Sequence, residues 1–183
     1  NVKREAETSD HKAKRIADSA ATGLIWNSMN FEAAAKCMKC HGLARSEISG
    51  DAFAKMLEAG HPINPSFEIV MFSQGKMRHW RDKRSRAELS RLFVAGQAAK
   101  LVSATEAAAK TEDAKYKAAQ TKRAADAKAV LQAVPQAATL IQSPSDDNAR
   151  KMMQAIGQQD LTDQIGGLMK FAPADKENLW QCN

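Results

Sequence analysis

Residues 98–134 run without a single glycine or proline, and this stretch constrains the fold more than any other. It is saturated with Ala, Lys, Gln and Glu, side chains that lose little freedom on a helix. Nowhere in the 183 residues do β-branched and aromatic residues alternate long enough to build a sheet. The fold class expected is therefore all-α. The same stretch offers little bulk: Leu101, Ala108, Tyr116, Ala119 and Leu131 are its main apolar positions, so it must pack closely or stand in solvent. Large aromatic material is scarce throughout, with six Phe, three Trp and one Tyr.

Periodicity and punctuation place further helices. One is expected over residues 10–29, with Ile16, Ala20 and Leu24 on one stripe, and a second over 31–40 with Asn30 as its cap. A short helix over 51–59 ends at Gly60, and another covers 66–72. Between them His61-Pro62-Ile63-Asn64-Pro65 is irregular, since each proline bars its predecessor from the helical region. Ser85 caps a helix over 86–95 with Leu89, Leu92 and Phe93 as its buried stripe, and Gly96 interrupts it. Pro135 ends the long Ala-rich helix, residues 143–147 launch another through Ile156, and a last helix spans 161–171 with a break at Gly166-Gly167. The change of texture divides the chain into a head, residues 1–97, and a helical extension, residues 98–183, that packs on the head or on a partner subunit.

Several classes of protein are set aside by composition. No apolar run approaches the roughly 20 residues of a membrane span, and the longest, residues 67–72, contains Glu68. Three cysteines make no disulfide framework. The start at Asn1 accords with removal of an export signal, and equally with a sequence trimmed at its beginning.

Charge is uneven. Residues 76–91 hold Lys76, Arg78, Arg81, Lys83, Arg84, Arg86 and Arg91 against Asp82 and Glu88, a local surplus of five within a net +6. Such a segment suits a negatively charged partner. Only Trp80 is interleaved as a stacking residue, so nucleic acid is not expected.

One motif carries chemistry. Cys37-Met38-Lys39-Cys40-His41 is a C-x-x-C-H sequence, the attachment pattern of a c-type haem. On a helix, residues three apart share a face, so both thiols reach one porphyrin edge. The histidine that follows offers an imidazole nitrogen to the iron. A zinc site lacks a second cysteine pair, the remaining Cys182 standing alone in a Trp-Gln-Cys-Asn tail. That thiol is left to stay unpaired or to join two chains.

The head resembles the class I c-type cytochromes, monohaem electron carriers. The resemblance rests on Cys37-Met38-Lys39-Cys40-His41-Gly42, on Gly75-Lys76-Met77 with Trp80 three residues on, and on Glu88-Leu89-Ser90-Arg91-Leu92-Phe93 in the place of the closing helix that packs on the first. It covers about residues 20–96, and Arg78 stands where the family has proline after its ligand methionine. It implies one covalent haem c tethered by Cys37 and Cys40, with His41 as axial base and Met77 as the opposite ligand. His61, His79 and Met71 are the other candidates for that sixth position. Trp80 and Phe93 are candidate walls of the pocket. The function implied is one-electron transfer rather than enzymatic turnover, in the periplasm or another exported location. It would serve either as a free carrier or as a subunit of a redox complex, with the basic segment facing an acidic partner. Two other readings stay open: a haem enzyme or sensor with an open sixth position, and a haem-free helical adaptor or polyanion binder.

Overall fold

The computed structural model describes residues 5–26, 28–64, 67–72 and 84–169. Among these the chain forms nine α-helices, two short 3-10 turns and no strand. None of the helices is long and apolar enough to cross a membrane.

The organising element is the helix α5 (Arg86–Ala109). Ser85 and Glu88 start it with a reciprocal capping box, the Ser85 hydroxyl accepting from the Glu88 N–H and the Glu88 carboxylate accepting from the Ser85 N–H. Every residue from Ser90 to Ala104 is buried. A helix buried all round has no stripe to read, and α5 accordingly mixes Leu92, Phe93 and Val94 with Ala95, Gly96, Ala98 and Ala99 on every side. Gly96 does not interrupt it. A Cβ there would lie 2.6 Å from Ile69 Cγ2, so the glycine is needed for close approach, and its helical cost of about 1 kcal/mol is offset by that packing. The boundary drawn at residue 98 falls inside α5, and the buried residues on both sides of it share one core. The change in composition marks a shift from bulky to small side chains along one helix.

Helix α2 (Asn30–His41) lies along one side of α5, burying Phe31, Ala34 and Met38. Asn30 does not cap it. The N-cap position is Met29, and the Asn30 carboxamide oxygen accepts a bond from Arg84 at 3.0 Å instead. Helix α4 (Ile69–Phe72) also packs on α5. The Glu68 carboxylate begins it, accepting from the N–H groups of Val70 and Met71 at 2.8 and 2.9 Å.

Helix α6 (Ala114–Leu131) folds back along α5 after a four-residue link. The Ala-rich run is thus two helices, because the Asp113 carboxylate accepts from the Tyr116 N–H at 2.6 Å and starts the chain afresh. A 3-10 turn over Pro135–Ala137, α7 (Ala138–Gln142), α8 (Asp146–Ile156) and α9 (Thr162–Ile165) close the far side. They bring Leu140, Met152, Ile156, Leu161 and Ile165 into the same core. Helix α8 starts at Ser145 and ends at Ile156, as its capping cluster suggested.

The remaining elements are peripheral. Helix α1 (Ser9–Ala21) buries none of its residues and ends well before residue 29, at Thr22 and the positive-φ Gly23. It is tied locally, with Arg15 gripping Glu7 at 2.7 Å and the Trp26 indole donating to the Ser19 hydroxyl at 3.1 Å. Helix α3 (Gly50–Glu58) is capped by Ser49 and supplies Phe53 and Ala54 to a second small core with Leu43, Ala44, Ala107 and Tyr116.

Candidate functional site

The C-x-x-C-H motif occupies the last turn of α2. Cys37 and Cys40, three residues apart, share one face of the helix and His41 lies about 100° round from Cys40, while Met38 is buried in the core. Cys37 is half-buried against the main core, and Cys40 and His41 are exposed. Both thiols are free of disulfide. Burial, reinforced by the neighbouring Cys40, pushes the Cys37 thiol above its usual range, so it stays protonated at neutral pH.

Phe67 was not singled out by the sequence. Its ring stacks face to face on the His41 imidazole, with centroids 4.0 Å apart and planes 7° from parallel, and it leans on Phe72 at 5.3 Å. The contact joins two segments separated by the irregular His61–Asn64 region, and no local spacing signals it. Phe93 is buried in the core and, with Phe67, Glu68, Met71 and Lys100, lines a hollow of about 330 Å³. Burial raises the Glu68 carboxyl there to about 7. A larger cleft of about 630 Å³, lined by Asn30, Glu32, Arg84, Glu88, Arg91 and Arg150 among others, lies at the opposite end of α2, a helix about 18 Å long.

The turn that leaves the motif is held from the extension, by residues of α6 that no local spacing singles out. Helix α2 ends in a Schellman arrangement: the Leu43 N–H donates to the Cys40 carbonyl at 3.1 Å and the Ala44 N–H to the Lys39 carbonyl at 2.8 Å. The left-handed position of that motif, normally glycine, is Leu43 at φ 49. The glycine stands one place earlier, at Gly42, with an ordinary φ of −100. What requires it is Arg123: a Cβ on Gly42 would overlap the Arg123 guanidinium. Arg123 Nη1 donates to the Gly42 carbonyl at 3.2 Å and to Gln120 Oε1 at 2.6 Å, and Gln120 Nε2 donates to the same carbonyl at 2.8 Å. The Tyr116 hydroxyl donates to the Leu43 carbonyl. These three side chains, four and three residues apart on α6, are 1%, 0% and 3% exposed. Burial lowers the Arg123 pKa to about 10 and raises that of Tyr116 to about 12, so at neutral pH the first is charged and the second is not.

The candidates for the sixth position separate. His61 is exposed, and its Nδ1 lies 2.9 Å from the Pro62 carbonyl in a local turn bond. Met71 is half-buried at the edge of the hollow beside Phe67. Met77, His79, Trp80 and Cys182 lie outside the described residues. Of the basic segment, Arg91 is not a surface charge: it is 8% exposed and its guanidinium donates to the carbonyls of Gln158 and Gln159, both at 3.0 Å. No protein-family model, curated protein or solved structure matches the chain.

Proposed function

We propose that the protein is a monohaem c-type cytochrome that passes single electrons between redox partners. The observation that carries this reading is the C-x-x-C-H-G sequence on the closing turn of one helix, with two thiols free of disulfide on one face and an imidazole beside them. That donor set fits a haem: Cys37 and Cys40 would hold it as thioethers, and His41 would be its axial base. The packing of α5 along α2 is the arrangement the resemblance implies for the closing helix. Bound there, a haem supplies a one-electron iron couple. The chain's own part is to orient and shield. Phe67 fixes the plane of the His41 ring, and the buried Met38 and Phe31 anchor the helix that carries the thiols.

Met77 is the proposed ligand on the opposite side, within a segment whose remaining Lys and Arg residues would steer an acidic partner. Covalent attachment of this kind would imply maturation in the periplasm or another exported compartment. Denaturing mass spectrometry and paired oxidised and reduced absorption spectra test the reading, on full chain made in a host equipped for haem ligation. One haem retained under denaturation and a reducible low-spin spectrum are expected. A bare-chain mass would refute it, and a high-spin ferric spectrum without the weak long-wavelength methionine band would favour an open iron.

A further inference from the structure

We propose that Arg123, held by Gln120, is a positioning residue for the motif, placing a fixed positive charge one residue beyond His41 that favours the ferrous over the ferric iron. This inference rests on the cytochrome reading above and adds to it a role for the extension. Its basis is the geometry of α6. A neutral side chain would serve to brace the Gly42 carbonyl, and Gln120 already donates to it at 2.8 Å. A second donor on the same oxygen is a guanidinium, 3% exposed, with no carboxylate paired to it among the described residues. Burying an unpaired cation is unfavourable. Here its hydrogen bonds run to a backbone carbonyl and to the Gln120 amide oxygen, which is neutral, so its charge is left uncancelled in a region of low dielectric, where it acts furthest.

The sequence is shaped around it. Gly42 leaves room for the guanidinium. Leu43 accepts a left-handed backbone that is unfavourable for a bulky residue, and the Tyr116 hydroxyl and the buried Leu43 side chain hold it there. Removing one electron from the iron raises the positive charge of the site. A fixed cation nearby opposes that step and therefore raises the reduction potential.

The test compares reduction potentials of the haem-loaded full chain by spectroelectrochemical titration. Arg123→Met removes the charge, Arg123→Lys keeps it, and Gln120→Glu leaves the arginine in place but sets a carboxylate against it. Arg123→Met and Gln120→Glu are each expected to lower the ferrous-to-ferric ratio at fixed ambient potential, of the order of tenfold, with the low-spin spectrum unchanged. Arg123→Lys should stay close to the wild type. If Arg123→Met fails to fold, Gln120→Glu carries the test alone, since it is isosteric and supplies an ion pair, and the donor it loses toward the Gly42 carbonyl is still supplied by Arg123. Equal potentials in wild type and Gln120→Glu would overturn the inference while leaving the cytochrome reading intact. So would an Arg123→Lys shift as large as that of Arg123→Met. Wild-type protein without haem would overturn both.

Discussion

Replacing Gly42 by alanine separates two reasons a glycine can stand directly after His41. If the backbone required it, the new residue would be strained. At φ −100 it is not, and the loss of unfolded-state freedom would by itself stabilise the protein by about 0.4–1 kcal/mol. If the guanidinium of Arg123 requires it, the methyl group takes the space that side chain occupies. The arginine must then withdraw from the Gly42 carbonyl and forfeit a charge-assisted hydrogen bond worth about 1.5–3 kcal/mol. Gln120 keeps its own bond to that oxygen, so the carbonyl is not orphaned and the net loss expected is about 2 kcal/mol. The assay is urea unfolding of the full chain, read as a shift in midpoint at constant slope. The same substitution made in an Arg123→Met background meets a flexible, neutral side chain and should cost less than about 1 kcal/mol, a coupling that a double-mutant cycle isolates. A neutral or stabilising Gly42→Ala, or an equal cost in both backgrounds, would refute the steric account.

Cys37→Ala or Cys40→Ala should leave at most one thioether, read as a changed reduced absorption maximum, and the double variant should lose all haem on denaturation; a double variant that kept it would place the attachment elsewhere. Gly96→Ala gains about 1 kcal/mol of helix propensity but sets a methyl 2.6 Å from Ile69 Cγ2; overpacking of this kind costs about 1–3 kcal/mol, so a lower unfolding midpoint is expected, and a raised one would mean that α4 yields freely. Glu68 holds its proton up to about 7 in the folded chain against an ordinary 4.5. The unfolded chain therefore releases it first, and stability should fall as pH rises between those values and level off above them. Glu68→Gln should flatten that part of the profile, and an unchanged profile would show the carboxyl to be well solvated.

The helices were legible where residues adjacent in sequence decide them. Ser85 with Glu88, Ser145 with its two aspartates, and the proline at 135 each announced a boundary that the fold keeps. Gly96 misled because its role is set by Ile69, a residue far along the chain, and not by its own turn. The break at Thr111–Asp113 was hidden by a composition in which two good helices look like one, and the Asp113 cap is the signal that would have found it. At the site, the thiols and the imidazole could be named from spacing alone. Phe67, Tyr116, Gln120 and Arg123 could not, since each meets the motif across a long separation in sequence. The Tyr-Gln-Arg series at helical spacing in an alanine background does leave a trace. Large polar residues where a helix must face its neighbours imply a polar counterpart opposite.

Because α5 is enclosed on every side, the motif has no small autonomous domain around it. A fragment stopping near residue 97 would keep both thiols and the imidazole, yet it would cut α5 halfway and strip the carbonyls of Gly42 and Leu43 of their donors. The shortest polypeptide that retains the turn beyond His41 in its native shape reaches at least to Arg123. Genetic truncation and limited proteolysis should accordingly yield either the whole body from α2 to α9 or no ordered product.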